Sequence, residues 1–179
     1  MGTVVALLRA VNVGGTGRLA MADLRTLCTR LGYEDVRTYI QSGNLVLRTD
    51  DPPATVRQDL ETALREHLGA PVDVVVRTGN ELRALADAIP FPDADGARVS
   101  VLVGNDPVPR ADVEAVVSPD GEEVVCGERE VYVHYPNGMG RSRLRLPSTL
   151  GVVTARNMNT IRRLVGMVDD LAAGTPAHG

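Results

Sequence analysis

VRTYIQSGNLVLRT, Val36 to Thr49, decides the fold. Val36–Ile40 and Asn44–Thr49 alternate at period two, and Gln41-Ser42-Gly43 between them carries turn chemistry, so the spacing predicts a β-hairpin. Upstream, TVVALLRAVNV (Thr3–Val13) is a short β-rich apolar run that ends at the Gly14-Gly15 breaker, a strand followed by a loop. Leu19–Leu31 places Leu24, Leu27, Cys28 and Leu31 at helical spacing and stops at Gly32. Downstream of the hairpin, Pro53 opens a helix through His67, with Val56, Leu60, Leu64 and Leu68 on one face and Gly69 at its end. Val72–Thr78 is the next strand. The order β-α-β-β-α-β is that of a ferredoxin-like unit.

The rest of the chain repeats this plan loosely. A short helix at Glu81–Ala88 runs into Ile89-Pro90-Phe91-Pro92-Asp93, whose prolines mark a linker. Then follow a strand at Val99–Gly104, a helix at Ala111–Val117 and a hairpin of EEVVC and EVYVHY turning near Gly127-Glu128. An irregular segment at Arg141–Leu146 precedes a short strand about Gly151–Thr154 and a last helix from Asn157 to Ala172. The expected class is α+β in two small subdomains: 1–90, ferredoxin-like, and 91–179, a related α+β unit with the C-terminal helix.

Composition excludes several chemistries. All 19 basic residues are arginine, so a Walker A loop, a kinase lysine and a Schiff base have no residue to build on. Any anion bound here meets guanidinium forks or main-chain N–H groups. Two cysteines without CxxC spacing and three scattered histidines argue for neither a disulfide framework nor a zinc site. No metal and no cofactor is expected. No apolar run approaches the roughly 20 residues of a membrane helix, and Met1–Arg9 lacks the order of a secretory signal, so a cytoplasmic protein is expected. Arg141–Arg163 holds six arginines and no acid, which with a net charge of −4 leaves −10 for the rest. That is a candidate anion site inside an acidic chain, or a face that neutralises the chain's own acids.

Topology locates a second candidate. In a ferredoxin-like unit the first two strands run the same way, so the loop Asn12–Arg18 and the turn Gln41–Asn44 emerge at one end of the sheet. That edge carries Asn12, Gly14, Gly15, Gln41, Ser42 and Asn44 beside the start of the first helix, whose free N–H groups attract anions. In TARNMNTIRRL (Thr154–Leu164), Asn157 is an N-cap candidate, and Arg156 and Asn159 remain as polar groups in the first turn of the last helix. Arg141, Ser142 and Arg143 precede them, with neither GxSxG nor SxxK around the serine.

Six spaced motifs then converge. LLRAVNVGG (Leu7–Gly15), MADL (Met21–Leu24), YIQSGN (Tyr39–Asn44), Pro90-Phe91, GRSRL (Gly140–Leu144) and TARNMNT (Thr154–Thr160) together resemble bacterial domain-of-unknown-function family 1697. The resemblance implies two small α+β subdomains, the first ferredoxin-like, and no established reaction. This chain has Ala10 where the family pattern has glycine, Arg143 where it has lysine and Met158 where it usually has tryptophan, so lysine chemistry and aromatic stacking are not expected at those places.

The function expected is binding of a phosphate-bearing small molecule or a nucleic-acid end in an Arg/Asn-rich cleft. Arg141, Arg143 and Arg156 would contact oxyanions, and Asn12, Gln41, Asn44 and Asn159 would orient neutral groups. The alternatives are a transferase or hydrolase on such a ligand, with Asp23 or His134 as base, and an interaction module whose arginines dock an acidic partner or the chain's own acidic face.

Overall fold

The computed structural model describes residues 1–14 and 18–174. Its elements run β1 (Gly2–Leu8), α1 (Met21–Arg30), β2 (Glu34–Tyr39), β3 (Asn44–Thr49), α2 (Pro53–Leu68), β4 (Val74–Thr78), α3 (Gly79–Asp87), β5 (Val99–Gly104), α4 (Arg110–Glu114), β6 (Glu123–Cys126), β7 (Glu130–His134), β8 (Val153–Asn157) and α5 (Met158–Ala172). One compact unit holds Met1–Arg83 and the chain from Leu164 onward, and the other holds Ala84–Arg163.

In the first unit the sheet order is β2-β3-β1-β4, with every neighbouring pair antiparallel. This is the ferredoxin-like arrangement that the element order implies. Val4, Ala6 and Leu8 alternate onto one face and share a core with Leu24 and Cys28 of α1 and Val56, Leu60 and Leu64 of α2. A leucine buried in such a core contributes about 1.5–3 kcal/mol. Val5 and Leu7 on the opposite face are buried too, which explains why β1 reads as a continuous apolar run rather than an alternating one. Gly69 ends α2 in the left-handed conformation, its N–H donating to Arg65 O at 2.9 Å. Burial pushes the Cys28 thiol up to about 12, so it serves as a small apolar residue.

The second unit has the order β6-β7-β5-β8, the same plan with β5 in the place of β1. Where the first unit has the 16 residues of α2, the second has only 3-10 turns at Met139–Arg141 and Ser148–Leu150. Leu144, Leu146 and Leu150 fill in for the missing helix against Val113, Val131, Val133 and Tyr135. The helix expected at Ala111–Val117 stops at Glu114. Val116 and Val117 are β-branched and run into Ser118-Pro119, a sequence that resists helix propagation.

The largest local correction concerns TARNMNT. The strand expected to stop at Thr154 runs to Asn157, and α5 begins at Met158. Thr154, Arg156, Met158 and Thr160 are buried while Ala155, Asn157 and Asn159 are exposed, so the segment alternates at period two up to the helix. Arg156 therefore belongs to a strand and not to a helical first turn. Asn157 is the cap: its Oδ1 accepts from Thr160 N–H at 2.9 Å. Asn157→Ala is expected to lower stability by about 1 kcal/mol, read as a shift in the urea midpoint with an unchanged slope.

The junction has a counterpart in the first unit that sequence reading passed over. Arg77-Thr78-Gly79-Asn80-Glu81-Leu82 and Arg156-Asn157-Met158-Asn159-Thr160-Ile161 share a pattern of arginine, cap, any residue, asparagine, polar and aliphatic. Both arginines are buried, Arg77 at 2% and Arg156 at 9% exposure. Each turns back on its own strand, Arg77 Nη1 donating to Val76 O at 2.8 Å and Arg156 Nη1 to Ala155 O at 2.9 Å. At Thr78 the cap is reciprocal, Glu81 N–H to Thr78 Oγ1 and Thr78 N–H to Glu81 Oε2. The pattern recurs because it solves one problem twice, the passage from an edge strand straight into a helix.

Candidate functional site

In the first unit, the β1–α1 loop and the β2–β3 turn meet at one end of the sheet. The antiparallel register puts Leu7 opposite Asn44, and Leu8 N–H donates to Gly43 O at 2.9 Å. Asn12 ties the loop down: its Nδ2 donates to Gln41 O at 2.7 Å and Leu19 O at 2.9 Å, and its Oδ1 accepts from Leu19 N–H at 2.8 Å. Asn44, fully buried, performs the same task inside the turn, donating to Tyr39 O and Ser42 Oγ at 2.9 Å each. Asn12 and Asn44 thus shape the edge from within.

Backbone strain concentrates here. Ala10 and Asn12 both have φ of 56°, Ile40 has φ of 49°, and Gly14 and Gly43 are also left-handed. For alanine and isoleucine that conformation costs about 1–2 kcal/mol each. Such outliers gather where a loop is held in a functional shape. A glycine at position 10, as in the family pattern, takes this φ without penalty.

The same edge offers anion chemistry. Among the described residues α1 starts after Ala20 without a side-chain cap, and a helix start presents N–H groups and a positive dipole end that favour an anion. Arg18 lies exposed just before it, and Gln41 is exposed on the facing turn. A cavity of about 360 Å³ opens between Arg9, Val11 and the α2–β4 connection at Leu68, Pro71 and Asp73. Arg9 reaches Asp73 at 3.3 Å, a half-exposed pair that an anionic ligand would compete for. Asp23 in the first turn of α1 stands 3.9 Å from His67 Nε2 near the end of α2. Gly15 lies outside the described residues.

The residues expected as oxyanion contacts sit in the second unit, and the structure shows how each is engaged. Arg143 grips Asp120, with Nη2 to Oδ1 at 2.7 Å and Nε to both oxygens at 3.2 Å. Ser142 Oγ donates to Glu122, a carboxylate only 5% exposed. Arg141 is exposed. The arginine-rich stretch thus meets the chain's own acidic segment. Arg156 donates to Thr154 Oγ1 at 2.7 Å, and burial lowers its pKa to about 10. The Asn159 side chain lies against Gly96, where an added Cβ would meet its Oδ1 at 2.0 Å. His134 stacks on Phe91 at 5.5 Å between centroids and approaches Glu123 at 3.3 Å.

These contacts set a pH dependence. Hydrogen bonds from the Arg143 side chain and main chain hold the Asp120 carboxyl below its ordinary value of 3.8. Burial raises the Glu122 carboxyl, but hydrogen bonds led by Ser142 outweigh it and leave the group lowered. A carboxyl lowered on folding stabilises fully above its unfolded pKa and loses that contribution as pH falls through the folded one. The stability gap between the wild type and Asp120→Asn is therefore expected at neutral pH and to close in acid, measured by thermal unfolding across a pH series.

Sequence reading gathered Asn12, Gly14, Gln41, Ser42 and Asn44 at one edge, and the structure places them there. It passed over Arg9, Arg18, Asp73 and the Asp23–His67 approach. Arg18 had a signal, a cation directly before a helix with no capping residue. The others come together only through the α2–β4 connection, which no local spacing encodes. Among the described residues, no group of three metal-ligating side chains gathers, and no helix is long and apolar enough to cross a membrane.

Comparison with known proteins gives a family and a fold. Residues 1–132 match the family described as "Protein of unknown function (DUF1697)". A solved structure of a conserved bacterial protein from Streptococcus pneumoniae is similar at a TM-score of 0.78 and 25% identity, over 93% of this chain and 98% of that one. No curated protein matches the chain.

Proposed function

The chain belongs to the DUF1697 family, and from that premise we propose that it binds a phosphate-bearing ligand, a nucleotide or a nucleic-acid end, at the loop edge of its first unit. One observation carries the reading: a helix start without a side-chain cap among the described residues follows a strand and a glycine-containing loop, and Asn12 fixes that loop to the facing turn. Main-chain N–H groups and the helix dipole would take the phosphate, as they do at other strand–loop–helix anion sites. Arg18 would add a guanidinium and Gln41 would orient a neutral part of the ligand. The expected roles of Arg143 and Arg156 are thereby moved to Arg18 and the α1 amides, because Asp120 already takes the fork of Arg143 and Arg156 is buried.

Thermal unfolding against nucleotides, sulfate, sugar phosphates and short oligonucleotides tests this. A ligand at 100 times its Kd adds about 2.7 kcal/mol, and a chain of this size gains roughly 2–4 °C per kcal/mol. The gain is expected to vanish in Arg18→Ala and to survive in Arg143→Ala. A flat response to the whole panel at low salt would overturn the proposal.

A second reading has one observation in its favour. Asp23 and His67 form a carboxylate–imidazole approach of 3.9 Å beside the same helix start, a pair suited to general-base work in a transferase or hydrolase. Once a ligand is found, its turnover by the wild type and loss of turnover without loss of binding in His67→Gln would separate an enzyme from a binder.

A further inference from the structure

The two sheets have four outer edges, and three are closed. On β4, the main-chain groups that face away from β1 are met by side chains: Val74 N–H by Glu61, Val76 O by Arg77 and Thr78 N–H by Glu81. On β8, Arg156 folds over Ala155 O in the same way. β2 carries a bulge between Glu34 and Arg37, with Asp35 left-handed inside it. Side-chain cover, inward arginines and charged bulges are the means by which sheet edges are protected from pairing.

β6 has less of this: Arg110 Nη2 reaches Gly127 O at 3.4 Å just past its end, and among the described residues no side chain covers Glu123–Cys126. Gly127 N–H donates to Glu130 O at 2.8 Å, and the alternation of an antiparallel ladder then turns the N–H and C=O of Cys126 and Val124 away from β7. No side chain among the described residues bonds to those groups. Val125 between them is 38% exposed. The strand is paired along its full length with Val131–His134 without a register shift.

We infer that β6 is a docking edge for an extended peptide segment of another protein, β-branched in its centre and basic at its C-terminal end. Antiparallel addition would join the N–H and C=O of Val124 and Cys126 to the incoming strand. Charge selects the partner. β6 opens on Glu123, whose side chain is 64% exposed and lies 3.3 Å from His134, and an antiparallel segment brings its C-terminal end there. A second copy of this chain fits less well. Pairing β6 with itself offers Glu123 no basic residue within the strand, which reads Glu-Val-Val-Cys.

The probe is the capped peptide Thr-Val-Thr-Val-Arg, followed by amide hydrogen exchange of the whole protein. Exchange at Val124 and Cys126 is expected to slow by at least about tenfold at saturation, while Val125, already bonded to β7, changes little. Alkylation of Cys126 is expected to slow in parallel. Replacing the peptide's arginine by glutamate, or introducing Glu123→Lys on the exposed strand start, is expected to abolish the protection, and both together to restore it. Unchanged exchange at millimolar peptide would overturn the inference. So would protection of the same amides without peptide that grows with protein concentration, which would assign the edge to a second copy.

Discussion

Gly43→Ala is expected to lower the unfolding free energy by about 2–5 kcal/mol. Two costs add at this position. Its φ of +79° belongs to the left-handed region, where a Cβ costs about 1–2 kcal/mol. A Cβ would also lie 2.7 Å from Leu8 Cβ and 2.8 Å from Val11 Cγ2, and forcing a group into packed surroundings costs about 1–3 kcal/mol. Gly69→Ala isolates the first cost, since Gly69 has φ of +72° with nothing within 4 Å of its Cβ position. Urea unfolding of both variants should show Gly43→Ala as the more damaged by at least about 1 kcal/mol. Equal losses would mean that the β2–β3 turn yields to the extra methyl, and that the edge is looser than its hydrogen bonds indicate.

Arg156 gives the second large effect. Truncation to alanine empties a buried volume and strips a donor from Thr154 Oγ1 and Ala155 O, at an expected cost of about 2–4 kcal/mol. Arg156→Met strips the same donor but keeps the volume and removes a charge that burial disfavours, so it should lose less than the alanine variant. The pair of variants separates structure from function. If Arg156→Ala were as stable as the wild type yet lost the stabilisation given by a phosphate ligand, TARNMNT would be a binding segment after all.

The fold was legible because its signals are local. The turn at Gln41-Ser42-Gly43, the Pro53 and Gly69 limits of α2 and the alternation of β3 each act within a few residues, and together they fix β-α-β-β-α-β. The continuation of β8 from Ala155 to Asn157 was missed for a physical reason. The strand's inward positions are Thr154 and Arg156, polar residues that period-two reading assigns to solvent, and only their bonds within the chain make them core residues. The arginine stretch was half legible. Its charge is plain in the sequence, but the contact of Arg143 with Asp120 spans 23 residues and depends on the turns that replace a helix between β7 and β8. Asn12 was rightly placed at the edge, where its side chain works as a brace between the β1–α1 loop and the β2–β3 turn.

The most direct test of the account is residue-resolved chemical-shift mapping of the labelled protein, titrated with ADP, inorganic phosphate and a short oligonucleotide. Phosphate binding at the loop edge gives shifts confined to the β1–α1 loop, the first turn of α1 and the β2–β3 turn, largest at the amides of Met21 to Asp23 and absent in Arg18→Ala. Shifts centred on Arg141–Arg145 or on the β8–α5 junction, with the α1 amides unmoved, would contradict it.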